Sequence, residues 1–205
     1  MLNFDSCNIS DISVLGDCFL PNLCTLDLSI HSVTCVPSLD KYTNLEDLWF
    51  CGKVGTNIGI DSCRSIASLL QKEDCSLQHL NLNHCGVGDE EGEEIRGSLK
   101  RNSSLDLLSL YYSKMTEKGC SAFLKLLNDI SSIKGTYTSN HTLTQLTLRN
   151  LFDEKTTAIN KHADSAMVLN KIYDGDAHTV GRAKVIATQL NSNTRRELCQ
   201  LQGID

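Results

Sequence analysis

Proline is almost missing from this chain, with two in 205 residues, and charged residues make up only 21%. That composition argues against disorder, because disordered segments are rich in proline and charge and poor in buried apolar side chains. Long apolar runs are missing too, and none approaches the roughly 18 residues that a membrane span requires. No basic leader precedes an apolar run at the start, so a cytoplasmic protein without a membrane partner is expected. Clusters of lysine and arginine are absent, and the net charge is −6. Residues 151–205 hold seven basic and seven acidic side chains, so the whole excess lies in residues 1–150. Nucleic acid is therefore excluded as a partner, since phosphate binding draws on basic clusters. A basic protein surface suits this chain better.

Ten cysteines contain no C-x-x-C pair, which removes the strongest zinc and redox signals. Free thiols in a reducing compartment are expected, with no metal and no cofactor. Cys75, His79, His84 and Cys85 lie within eleven residues. An extended strand over that stretch would hold the two histidine backbones about 16 Å apart, at roughly 3.3 Å per residue, too far to share an ion.

What the chain has in abundance is one phrase, L-x-x-L-x-L. Full copies stand at Leu23-x-x-Leu26-x-Leu28, Leu45-x-x-Leu48-x-Phe50, Leu77-x-x-Leu80-x-Leu82, Leu105-x-x-Leu108-x-Leu110 and Leu143-x-x-Leu146-x-Leu148, with a clipped copy at Leu2-x-Phe4-x-x-Cys7. The middle leucines are spaced by 24, 22, 32, 28 and 38 residues. Alternation along a strand sends the second and third leucines to one side and the x residues to the other. Each leucine face can be buried only against neighbouring copies, and one buried leucine contributes roughly 1.5–3 kcal/mol. Cys7 and Cys85 fall at the small, buried slot that ends the phrase.

Between copies the pattern turns helical. Acidic residues open, and Lys100 and Arg101 close, the stretch from Gly86 to Asn102, with Ile95 and Leu99 inward. Asp61 to Gln71, with Ile66, Leu69 and Leu70 inward, and Thr116 to Leu127, with Phe123, Leu124 and Leu127 inward, repeat the scheme. Residues 151–205 leave the phrase. Ala163, Ala166, Met167, Asn170 and Tyr173, then Val180, Ala183, Val185, Ile186 and Leu190, then Leu198, Leu201 and Ile204 keep helical spacing. Turns are expected at Asp174-Gly175-Asp176 and Asn191-Ser192-Asn193.

The stretch SLQHLNLNHCGVGDEEGEEIRGSLKRNSSLDLLSL, ending at Leu110, resembles the ribonuclease-inhibitor-like class of leucine-rich repeats, which includes intracellular innate-immunity receptors and Ran GTPase-activating proteins. SNHTLTQLTL and GRAKVIATQL are similar to the ends of large leucine-rich-repeat families of unicellular eukaryotes. The phrase and the resemblance together imply an α/β leucine-rich-repeat solenoid over residues 1–150, a curved parallel β-sheet with outer helices, and a helical C-terminal cap over 151–205. Because Met1 begins inside a copy, an N-terminal truncation is expected.

The residues left free by the phrase line the concave face. Asp27, Asp47, Trp49, His79, Asn81, Asn83, Tyr111 and Arg149 are the expected partner-binding set, with Trp49, the single tryptophan, as the anchor. The leading expectation is a monomeric, non-catalytic protein–protein interaction module or scaffold. The alternatives are a Ran-type GTPase-activating protein, for which Arg64, Arg96 or Arg149 would supply the arginine, and a substrate-recruiting adaptor of a ubiquitin ligase. A cysteine enzyme would need Cys51 beside His79. N-x-S/T sequons at Asn8, Asn102 and Asn140 keep an extracellular route open.

Overall fold

A computed structural model describes residues 1–204 except 5–8, 10, 30–33, 54, 149–153, 174–175 and 190–191, and without the side chains of 154–156, 160, 189 and 192. Six short strands form one parallel sheet in sequential order. They are β1 (Leu2–Asn3), β2 (Thr25–Asp27), β3 (Asp47–Trp49), β4 (His79–Asn81), β5 (Leu107–Ser109) and β6 (Gln145–Thr147). The register runs Leu2 to Leu26, Leu48, Leu80, Leu108 and Leu146, so the middle residue of every phrase lies opposite its counterpart. Leu26, Leu48, Leu80 and Leu108 are fully buried. Their neighbours on either side are half-buried and point to the other face of the sheet.

Helices follow where the spacing leaves room. α1 (Val14–Asp17) is one turn; α2 (Gly59–Leu70), α3 (Asp89–Ser98) and α4 (Glu117–Leu127) are full helices, α2 and α4 within two residues of the expected bounds and α3 starting three residues later and ending four earlier than expected. α2 buries Ile66, Leu69 and Leu70, α3 buries Ile95 with Leu99 just beyond its end, and α4 buries Phe123, Leu124 and Leu127. Thr116 caps α4 by accepting a hydrogen bond from the Lys118 amide. Glu91 accepts from the Gly88 amide at the start of α3 (3.0 Å), closing the first turn that its acidic residues favour. α5 (Ile133–Tyr137) fills the longest interval, before β6. One buried cluster runs from Ile12 to Leu198 and takes in the leucine ladder and the inward faces of these helices.

The C-terminal stretch forms α6 (Glu154–Ile172), α7 (Ala177–Lys184) running straight into a π-helical turn at Val185–Gln189, and α8 (Ser192–Gln202). α6 packs on α4 and β6, and α7 on α5 and α6. Ala163, Ala166, Met167, Asn170, Val180 and Leu198 are buried, in line with the helical spacing. Three expectations fail here. Tyr173 is 39% exposed past the end of α6. Ile186 is 63% exposed while Lys184 is fully buried, because Lys184 stands four residues after the buried Val180 on the same helix face and Ile186 six residues after it on the other. The turn expected at Asn191–Asn193 is displaced, since Ser192 and Asn193 already belong to α8. Leu190, Asp174 and Gly175 lie outside the described residues, while Asp176 caps α7 by accepting from the Thr179 amide at 3.0 Å.

Asparagines tie successive units together. Asn102 donates to the Leu70 carbonyl at the end of α2 (2.9 Å) and accepts from the amides of Ser104 and Leu105. Asn140 does the same to the Leu99 carbonyl past α3 (2.9 Å) and to Thr142 and Leu143. Asn170 donates to the Leu143 carbonyl. Asn102 and Asn140 each meet a carbonyl left free past a helix end and fix the turn into the next phrase. This corrects the sequon reading: Asn102 and Asn140 are buried at 9% and 7% exposure and their amide nitrogens are engaged, so neither is presented as a glycan acceptor in the folded chain. Asn8 lies outside the described residues.

Candidate functional site

The sheet face opposite the leucine ladder carries the side chains that the phrase leaves free. Register sets Thr25 beside Asp47 beside His79 beside Leu107, and Asp27 beside Trp49 beside Asn81 beside Ser109. All of these are half-buried, as are Asn83 and Tyr111 just beyond the strands. Seven of the eight expected residues therefore share one face, and Arg149 lies outside the described residues. Among the described residues of these rows there is no lysine or arginine.

Hydrogen bonds order this face across the strands. Asp47 accepts from Thr25 Oγ1 at 3.0 Å through one oxygen and meets His79 Nδ1 at 2.6 Å through the other. Asp27 accepts from Asn3 Nδ2 (3.2 Å) and from the Ser29 amide (3.0 Å). Asn83 Oδ1 accepts both from Ser109 Oγ and from the Tyr111 amide at 2.7 Å, and Asn81 Oδ1 accepts from the Asn83 amide at 3.0 Å. Asn81 and Asn83 therefore shape the turns after β4 as well as facing outward. A surface ordered in this way loses little rotamer freedom on binding.

Beyond the ends of β4 and β5 sits an aromatic group of which the sequence reading named only Tyr111 as a binding residue. His84 stacks on Tyr112 with ring centroids 4.1 Å apart, and Tyr111 meets Tyr112 edge-on at 4.2 Å. His84 and Tyr112 occupy equivalent positions, four residues after Leu80 and Leu108, and both have left-handed backbones, with φ of 58° and 56°. Such backbones favour glycine and cost of order 1–3 kcal/mol for other residues, so ring packing here is retained against local strain. A side-chain hydrogen bond with Tyr111 holds the Tyr112 phenol above the usual tyrosine range. The sequence signal was the recurrence of large rings, His84 and Tyr112, at one repeat position.

Other candidate groups are not brought together. Register sets Asp47, not Cys51, opposite His79, so Cys51 stands four residues further along, about 13 Å away at roughly 3.3 Å per residue. Burial, with the nearby charge of Asp27, pushes the Cys51 thiol up and away from the thiolate. Cys85 is buried, its thiol donates to the Phe50 carbonyl at 2.8 Å, and burial pushes it up to about 12. Cys7 lies outside the described residues. The described cysteines are free of disulfides. Among the described residues no three histidine, cysteine, aspartate or glutamate side chains are grouped to hold a metal ion. Arg64 is held by Glu94 (3.2 Å) and Asp61 (3.3 Å), and Arg96 is held by Glu93 (2.7 Å), all on the helices. No helix among the described residues is long and apolar enough to cross a membrane.

The chain matches no protein-family model and no curated protein. Its site is therefore read from geometry alone.

Proposed function

We propose that the chain is a leucine-rich-repeat-type solenoid with a helical C-terminal cap, acting in the cytoplasm as a non-catalytic protein–protein interaction module. One observation carries the reading: in-register strands present a continuous face on which Asp27, Asp47, Trp49, His79, Asn81, Asn83 and Tyr111 stand half-buried and cross-linked by hydrogen bonds. A tryptophan and a tyrosine on a stiff sheet are the ingredients of a hot-spot patch, and the carboxylates beside them add charge complementarity. The acidic charge favours a basic partner surface, and the ion-paired state of Arg64 and Arg96 weighs against an arginine-dependent GTPase-activating role.

The test is capture of a binding partner from lysate by the full chain and by a Trp49→Ala/Tyr111→Ala variant. Loss of the partner is expected, at about 2 kcal/mol or more per anchor, with an unchanged circular dichroism spectrum. Capture that survives both substitutions rejects the sheet face as the binding surface.

A further inference from the structure

Resting on that reading, we infer that the partner is a segment bearing an arginine and, about 12 Å away, an apolar or aromatic side chain. The arginine lies over Trp49 between Asp27 and Asp47, and the apolar group seats on Tyr111, Tyr112 and His84. The face is asymmetric along its width. Carboxylates occupy the β2 and β3 rows, with Glu46 exposed beside them, whereas the rings gather past β4 and β5. Asp27 stands directly across from Trp49, and Asp47 is two residues back on the same strand and face.

An indole flanked by carboxylates, with no described lysine or arginine in the rows around it and His79 on only one oxygen of Asp47, is complementary to a guanidinium. The plane stacks on the ring while its N–H bonds reach the carboxylates. The hydrogen bonds that Asp27 and Asp47 accept leave each oxygen a further lone pair and fix its direction. Lysine satisfies the charge but not the stacking. The ring cluster carries no carboxylate and stands in an aromatic environment, so it suits an apolar or aromatic side chain. The two positions are two strands and two residues apart. At roughly 4.8 Å per strand and 3.3 Å per residue that is about 12 Å, a separation an extended segment spans in about four residues.

The experiment selects a random dodecapeptide display library on the immobilised full chain. Enriched peptides are then titrated against the wild type, Asp27→Asn/Asp47→Asn, Trp49→Ala and Tyr111→Ala, each with its circular dichroism spectrum. Expected are peptides combining arginine with an aromatic or aliphatic residue. The double carboxamide variant should weaken them roughly tenfold, and Trp49→Ala on the order of thirtyfold. Replacing the peptide arginine by citrulline should weaken binding similarly and leaves the protein untouched, so the conclusion does not hang on a variant's folding. Acidic or uncharged peptides that need Trp49 and Tyr111 but ignore the carboxamide variant overturn the arginine assignment while leaving the face as the binding surface. Absence of enrichment, or binding indifferent to Trp49 and Tyr111, overturns both.

Discussion

The first three strands and the last three are built on the same leucine ladder but are held together differently. Spacings of 24 and 22 residues before β3 leave room for one helical turn among the described residues, α1, whereas spacings of 28 to 38 admit α2, α3 and α4. A phrase of about six residues and a helix of ten or more leave at most about six of 22 residues for two turns, and the longer intervals leave more. The shorter region replaces helix packing with polar contacts of unequal burial, the first of them fully buried. Tyr42 Oη donates to the Leu15 carbonyl (2.6 Å), Lys41 Nζ donates to the Gly16 carbonyl (2.6 Å), and Asn44 donates to the Pro21 carbonyl (2.8 Å). The longer region uses the same kinds of contact in full burial, through Asn102, Asn140 and Lys184. Each region has a fully buried donor, Tyr42 in the first and Lys184 in the second, so the number and kind of its partners, not burial alone, separate the two.

Lys184 is the extreme case and gives the largest expected effect. Its ammonium meets the carbonyls of Leu127 (2.7 Å) and Asn140 (2.9 Å) and Nδ1 of His141 (3.2 Å), and His141 Nε2 donates to the Tyr137 carbonyl (2.8 Å). That tautomer leaves Nδ1 as an acceptor, so three acceptors converge on Lys184 Nζ at the carboxyl end of α4. Lys184→Met strands all three and should destabilise the fold by about 2–3 kcal/mol, with part of the loss offset by the desolvation no longer incurred. Tyr42→Phe, the counterpart in the short region, should cost about 1 kcal/mol. Urea unfolding of both variants decides the matter; equal losses would mean that the number of partners does not distinguish the two buried donors.

The sheet was legible in the sequence because a period-two pattern survives insertions. Leu2, Leu26, Leu48, Leu80, Leu108 and Leu146 align across unequal intervals. Seven of the eight outward residues followed from the same pattern. What escaped lies where a residue's role depends on contacts distant in sequence. Asn102 and Asn140 read as sequons because their carbonyl partners lie 32 and 41 residues upstream. The burial of Lys184 escaped because its acceptors on Leu127, Asn140 and His141 lie 57, 44 and 43 residues upstream. Tyr112 was overlooked because its left-handed backbone usually belongs to glycine or asparagine.

The asparagines provide a narrower comparison between the regions. Asn140→Ala leaves the Leu99 carbonyl and the Leu143 amide without their partner in a buried setting, and a loss of about 2 kcal/mol is expected. Asn44→Ala releases the Pro21 carbonyl to water and should cost less than about 0.5 kcal/mol. A thermal shift for Asn140→Ala no larger than that for Asn44→Ala would mean that the ladder of asparagines is not what couples the later units.

Proton linkage separates the regions most finely, because Lys184 and His141 both belong to the later one. Burial pushes Lys184 down to about 7 from 10.5, so between these values the unfolded chain holds a proton that the folded chain has released. Stability therefore rises with pH across that window. Burial also pulls His141 below its ordinary 6.5, with the Lys184 charge acting in the same direction and the Tyr137 carbonyl opposing. Here too the unfolded chain takes up its proton first, and stability falls as pH drops through 6.5 toward the folded value. Melting temperatures at about pH 9, 7.5 and 5.5 should decline in that order. Lys184→Met should flatten the alkaline limb while keeping the acid one, less the share that the Lys184 charge adds to His141. A variant that keeps the full alkaline slope would assign the linked proton to a group other than Lys184, and the later region would then owe none of its alkaline dependence to that buried contact.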